Sequence, residues 1–486
     1  MDAAVNDGVD VLSLSLGGSS NPFYNDSIAI GAFGAMQKGV LVSCAAGNSG
    51  PSYGTLSNEA PWILTVGAST TDRVIRTTVK LGDGQQFIGE SAYQPRSFHS
   101  ILRPLVYPGS INPRAATCKN GTLDKINVRG MVVVCDDGDL DRVEKGSIVK
   151  SAGGVAMILA NLAVEGYTTL ASVHVLPASH VSYADGLKIK AYLSSNAAPV
   201  ASISFQGTLF GATPTPVTGY FTSRGPNQAD PNILKPDIIG PGVNILAAWP
   251  VSVGSKSRFN VISGTSMATP HISGIAALLK HTHPDWSPAA IKSAIMTSAE
   301  ITGNDGNSIL DHTLNIADFF TIGAGHVNPS NANNPGLVYD IKPSSYVGYL
   351  CGLGYTDMQV SAITRSPVRC SRIQSVSGPE LNYPSFMVFL SASNNYTTVV
   401  HRTVTNVGAP RSVYTLQITP PTGVSMTVNP RSLAFTKAKQ QLKFSVTFSS
   451  SPSSNSGDLF FWEGLLTWVS SDNTIAVRSP ILVGIS

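Results

Sequence analysis

Gly264-Thr265-Ser266-Met267-Ala268-Thr269-Pro270-His271, followed by the apolar stretch Ile272 to Leu279, places a serine at the first turn of a buried helix. Gly264 provides a sharp backbone turn into that helix. Ser266 then sits where the first backbone N–H groups have no intrahelical acceptor and the helix dipole favours negative charge. An oxyanion forming beside Ser266 would meet those donors. Pro270 is tolerable near a helix start, and Ile272, Ile275, Ala276, Leu278 and Leu279 are apolar almost all round, which predicts a core helix. Gly274 is expected to let another backbone pack closely. A lone Gly-x-Ser would be an ordinary helix start; eight specified residues are much more restrictive.

This motif resembles that of the subtilisin-like serine proteases, in particular the large plant subtilases, and further segments extend the resemblance along the chain. Cys44-Ala45-Ala46-Gly47-Asn48-Ser49-Gly50-Pro51 is similar to the family's oxyanion-asparagine motif, which implies that the Asn48 amide donates to a tetrahedral intermediate. Read without the resemblance, Gly-Asn-Ser-Gly is also an ordinary turn. Ser13-Leu14-Ser15-Leu16-Gly17-Gly18 resembles the substrate-binding segment, where extended backbone pairs with the peptide being cut. By resemblance Ser15, Leu16, Gly17, Ala45, Ala46 and Gly47 line the substrate pocket. A plain core strand ending in a glycine turn accounts for the apolar run equally well.

A subtilisin-type triad also needs a histidine base and an aspartate that orients it. The family carries these in His-Gly-Thr and Asp-Ser/Thr-Gly, and neither motif occurs here. None of the nine histidines precedes Gly-Thr. His271 lies five positions beyond Ser266 and points away from it at that helical offset, and His326 matches a structural segment. Met1 to Gly8 is expected to form the last turns of a helix that stops at Gly8 and feeds a strand from Val9. With no strand before that helix, the chain reads as one beginning inside the catalytic part, with the triad aspartate and histidine absent.

The expected organisation is α/β: an incomplete subtilisin-like parallel sheet, with an inserted α/β domain and a C-terminal β-sandwich. The catalytic part covers 1–84 and 213–340, the insertion 85–212, a linker 341–380 and the sandwich 381–486. Asp26 to Gly39 reads as an amphipathic helix before the strand Val40-Leu41-Val42, and Val66 to Ser69 ends another strand. In the insertion, Met131 to Cys135 and Val155 to Leu159 read as strands around a helix from Val143 to Ala152, resembling the protease-associated domain of plant subtilases. Ser287-Pro288 caps a helix expected to end near Ser298. From Leu381, short alternating strands such as 399–404, 413–418 and 442–448 resemble the family's fibronectin-III-like domain. Pro421, Pro430, Pro452 and Gly457 fall at its turns.

Composition narrows the function classes. The 486 residues carry a net charge of +3, which gives no ground for a nucleic-acid partner, and no apolar run approaches the roughly 18 residues of a membrane span. No signal peptide opens the chain. By position Cys118 pairs with Cys135 and Cys351 with Cys370, which leaves Cys44 for a partner outside the chain. Sequons at Asn25, Asn120 and Asn395 fit an extracellular habitat, and the resemblance implies the plant cell wall or apoplast. It also implies a peptide or protein substrate and allows a homodimer formed through the insertion. No carboxylate spacing defines a calcium loop, so no metal or cofactor is expected. The alternative, for a chain without base and acid, is a non-catalytic protein that binds partners through its insertion and C-terminal domain.

Overall fold

Asp26 accepts hydrogen bonds at Oδ1 from Ile28 N (2.8 Å) and Ala29 N (3.1 Å) and so starts the helix Ser27–Gln37, which stops where Gly39 takes a φ of +85°. Ala32, Phe33 and Met36 of this helix are buried against the strand Leu41–Ala45. In the computed structural model, which describes residues 1–138, 140–250, 258–390, 397–450 and 460–485, that strand belongs to a four-stranded parallel sheet. Val11–Leu14 forms one edge, Leu41–Ala45 and Leu64–Ser69 the centre, and Ile238–Pro241 the other edge. The two central strands are buried throughout, as a parallel sheet covered on both faces requires.

The serine helix runs from Thr265 to Thr282 and packs on this sheet. It is not buried all round: Ile272, Ala276 and Leu279 face the core, whereas Leu278 is 68% exposed. Nothing lies within 4 Å of where a Cβ on Gly274 would be, so the close backbone approach expected there is absent. Apolar composition was the basis for that expectation; among the described residues no element covers this side.

Residues 74 to 209 form a seven-stranded closed barrel that starts at Val74, ahead of the expected insertion boundary at 85. The strands Val132–Asp136 and Ala156–Ala160 pair in parallel around the helix Arg142–Ser151, capped by Asp141. Cys118 and Cys135 are bonded inside this unit, and Cys351 is bonded to Cys370. Cys44 is a free thiol packed within the sheet core, where burial pushes its pKa up, so it offers no surface position for an external partner.

The expected linker at 341–380 is packed structure instead. Its helices Pro343–Gly352 and Asp357–Thr364 place Tyr346, Tyr349, Leu350, Val360 and Ile363 in the same core as the parallel sheet. The C-terminal sandwich stacks a four-stranded and a five-stranded sheet. Its first sheet recruits Leu337–Val338, a strand from ahead of those helices, which pairs with Thr397–Asn406. Pro452, Gly457 and the sequon at Asn395 lie outside the described residues.

Ser287 caps the helix Pro288–Thr297, accepting from Ala290 N at 3.0 Å, and Ser298 closes it. Within it Lys292 is buried, donates to the Pro61 carbonyl and sits 4.3 Å from the Tyr383 ring centroid. Burial, and then the nearby Lys235, lower its pKa from 10.5 to about 7, against the pull of Asp237. The unfolded chain therefore binds this proton more tightly between pH 7 and 10.5, so this lysine makes stability rise with pH across that window and fall as pH drops through it. Chemical denaturation from pH 7 to 10 is expected to show a rise that Lys292→Met lacks. An equal slope in both proteins would refute the assignment.

Candidate active site

Pro270 has no N–H, so the carbonyl of Ser266, four residues earlier, lacks its helical donor. Ser15 Oγ fills the gap, donating to Ser266 O at 2.7 Å, while Ser266 Oγ lies 3.4 Å from Ser15 O. The segment ending in Gly17-Gly18 is thereby tied to the helix start. Gly264 adopts extended backbone (φ 163°), so the turn into the helix does not depend on its freedom. A Cβ there would sit 3.5 Å from Asn48 Nδ2, in ordinary contact with that amide. Behind the turn, a Cβ on Gly242 would come within 2.6 Å of Ala68 Cβ, and Gly264 N donates to Gly242 O at 2.8 Å. Only a glycine fits that approach.

Asn48 is held from one side. Its Oδ1 accepts from Thr265 N (2.9 Å) and Thr265 Oγ1 (2.8 Å). A backbone N–H can only donate, so the atom facing Thr265 must be the oxygen, and the Nδ2 donors are turned the other way. Gly17, Gly18, Gly47, Asn48 and Ser57 line a shallow cleft of about 590 Å³ beside them. Of the residues expected in the pocket, Gly17 and Gly47 line this cleft and Leu16 is exposed. Ala45 and Ala46 are buried in the sheet core and do not line it. Asn58 Nδ2 bridges the carbonyls of Leu16 (2.7 Å) and Ala45 (2.8 Å) and so ties together the segments that lead into Gly17 and Gly47. Neither Asn58 nor Thr265 was singled out from sequence, because their partners lie tens to hundreds of residues away.

Among the described residues no histidine hydrogen-bonds Ser266. The His271 Nδ1 meets the Met267 carbonyl at 2.8 Å, along the helix and away from the serine. His326 is tucked into a backbone bridge with Glu300, and burial lowers its pKa to about 4. His312 approaches Arg224 Nη2 at 2.9 Å, and His283 stacks on Trp286. Among the described residues no group of three or more His, Cys, Asp or Glu could hold a metal ion.

The subtilase family model matches residues 1–325, and a fibronectin type-III domain model matches residues 380–483. The chain belongs to the subtilase family. This subtilase is 46% identical over 495 residues to the subtilisin-like protease SBT1.7 of Arabidopsis thaliana, covering 99% of the chain and 64% of that protein. Against subtilisin-like protease SBT1.6 of the same plant it is 46% identical over 501 residues, covering 99% of the chain and 65% of the relative. It therefore spans about two thirds of the length of the curated relatives it matches. The parallel sheet with its serine helix is the subtilisin-like α/β fold, and the C-terminal sandwich is the fibronectin type-III domain.

Proposed function

We propose that Ser266 and Asn48 are the nucleophile and oxyanion donor of a serine-type endopeptidase, and that the 486-residue chain alone does not turn over substrate. The observation that carries the first part is the clamp of Asn48 Oδ1 on Thr265, which fixes the Asn48 amide beside the residue that precedes Ser266. The second part rests on the missing base: no imidazole meets Ser266 among the described residues, and no His-Gly-Thr or Asp-Ser/Thr-Gly occurs. In a subtilisin, a member of this same family and the source of the figures, loss of the triad costs about 10⁶ in turnover. Roughly 10³–10⁴ over water then remains from the oxyanion hole and binding. For this chain alone, that comparison favours a protein that binds peptides without cutting them.

Family membership supports further assignments. The substrate is a peptide or protein, held by Ser15, Leu16 and Gly17 with Ala45, Ala46 and Gly47. The two alanines act from inside the sheet, by backbone and by shape. The barrel at 74–209 is a protease-associated domain, through which a homodimer forms. The protein is secreted to the apoplast and glycosylated, with exposed Asn25 and Asn120 as acceptors. Among the described residues no helix is long and apolar enough to cross a membrane.

A fluorophosphonate probe tests the catalytic assignment. The purified chain is expected to remain unlabelled, and stoichiometric labelling of Ser266 would overturn the inactivity. Fused behind the Asp- and His-bearing segment of a subtilase, the chain is expected to hydrolyse peptides. Ser266→Ala should abolish that hydrolysis; activity surviving the substitution would remove Ser266 from the role.

A further inference from the structure

On leaving the strand Ala156–Ala160, the barrel chain runs through residues 161–171 and lies against the catalytic part. Asn161 shapes this loop, donating from Nδ2 to Gly166 O (3.0 Å) and Thr168 O (2.8 Å). Gly166 takes a φ of +58°, and a Cβ there would come within 2.3 Å of His312 O, so only glycine allows the approach. Tyr167 N donates to that same carbonyl at 2.8 Å, and Tyr220 N donates to Thr168 Oγ1 at 3.2 Å. Asn244, a buried side chain of the catalytic part, accepts at Oδ1 from Ala171 N (2.8 Å) and donates from Nδ2 to Thr169 O (3.1 Å) and Glu90 Oε2 (2.9 Å). Its own N donates to Ser263 Oγ at 2.8 Å, three residues ahead of Ser266. Residues 161–171 are therefore the seam through which the barrel bears on the serine turn.

At this seam lie two buried carboxylates and one guanidinium. Arg142 Nε donates to Asp137 Oδ2 at 2.6 Å, and its Nη2 donates to Glu165 Oε1 (3.3 Å) and to Tyr220 Oη (3.1 Å) on the catalytic side. Asp137 is 1% and Glu165 4% exposed, and the two side chains are close enough to share a proton. Glu165 Oε2 accepts from Leu162 N at 2.6 Å, which holds the carboxyl in place. The other ionisable groups around it bring no second positive charge. His180 Nε2 meets Asn161 Oδ1 at 2.5 Å and lies 3.9 Å from Asp137 Oδ2, yet burial lowers its pKa to about 4; burial does the same to His174. Lys145 turns its Nζ to Thr117 O at 3.0 Å, and Asp141 caps its own helix. From the catalytic side, burial pushes the Tyr220 hydroxyl above its usual 10, and His312 is engaged by Arg224 and Asp311. With both carboxylates ionised, the cluster would hold one negative charge more than Arg142 neutralises. Burial, and then Asp137, push Glu165 up from 4.5 to about 7, against the Leu162 N–H and Arg142.

We infer that this cluster is a proton-operated latch: Glu165 in its protonated form holds the barrel loop against the catalytic part in acid, and loss of that proton near neutrality loosens the seam. Parting the loop from Tyr220 admits water, in which Glu165 returns to its ordinary value. The docked seam therefore binds the proton more tightly than the open one. Its contribution is complete below pH 4.5 and is lost as pH rises through about 7. His174 and His180 act in the opposite sense between 6.5 and about 4, because both are buried neutral inside the barrel. Replacing Glu165 removes only the first contribution. The latch stands whether or not Ser266 is a nucleophile.

Amide hydrogen exchange on the 486-residue chain, corrected for the intrinsic effect of pH on exchange, tests the latch in peptides spanning 161–171 and 217–222. Linkage between 4.5 and about 7 makes opening of the seam about ten-fold more frequent at pH 8 than at pH 6. The strand Val200–Leu209 serves as the measure of the barrel itself and should not follow. Glu165→Gln, neutral at every pH, should abolish the ten-fold difference, and Asp137→Asn, which removes the second carboxylate, should move the transition to lower pH. Equal protection of the parent seam at pH 6 and pH 8 would overturn the latch, as would a Glu165→Gln variant that keeps the full difference. Opening that spreads equally to 200–209 would also overturn it, since the barrel would then be unfolding as a whole. Should Glu165→Gln fail to fold, the parent profile and the shift in Asp137→Asn decide, and an unshifted transition there refutes the inference.

Discussion

Asp237→Ala is expected to cost about 3–5 kcal/mol of stability, the range for breaking one partner out of a buried ion pair. Asp237 is fully buried; its Oδ2 accepts from Thr65 N at 2.7 Å and from Lys235 Nζ at 2.6 Å, and Tyr383 Oη donates to its Oδ1. The alanine would strand a fully buried ammonium with only Ile63 O and Thr65 Oγ1 for company. It would also leave the Thr65 N–H and the Tyr383 hydroxyl without that acceptor. Against a total of roughly 5–15 kcal/mol for folded proteins, this is a large share. Asp237→Asn, which keeps an acceptor and loses the charge, should fall between parent and alanine. Urea midpoints for the three proteins decide the matter, and an alanine variant as stable as the parent would show that the pair contributes nothing.

Trp468→Ala is the second large effect, also about 3–5 kcal/mol, through a cavity in the sandwich core. Trp468 has no exposed surface and meets Phe444 edge-on at 5.2 Å. Its Nε1 makes no hydrogen bond, so the loss is one of packing alone. Trp468→Phe should recover most of it, because it restores ring volume while removing a buried N–H that has no acceptor. Calorimetry should show the alanine variant melting well below the parent. A phenylalanine variant as unstable as the alanine one would contradict the packing account.

Local chemistry was legible in the sequence wherever one or two residues decide an outcome. Asp26 and Gly39 bracket a helix, Ser287-Pro288 starts another, and the four paired cysteines were assignable by position. The serine and asparagine motifs likewise sit side by side in space. What was not legible depends on where distant chain passes. Leu278 and Gly274 belong to an apolar stretch, yet their burial is decided by what packs outside the helix. Residues 341–380 carry the Gly, Ser and Pro of a linker, but Tyr346 and Tyr349 from one helix and Ile363 from the next close onto the core of the parallel sheet. Asn244 gave no signal, because its partners Glu90, Ala171 and Ser263 come from three separate segments.

The two-residue strand Leu337–Val338 has a consequence for how the molecule can be divided. A fragment cut at 381 would strip Thr405 and Asn406 of the backbone partners that Val338 and Leu337 supply, opening that end of the strand Thr397–Asn406, on the side away from Gln441–Ser450, to pairing with a neighbouring molecule. The C-terminal sandwich is therefore stitched into the body ahead of it. Heat should melt the two together as one cooperative unit, rather than as beads on a string.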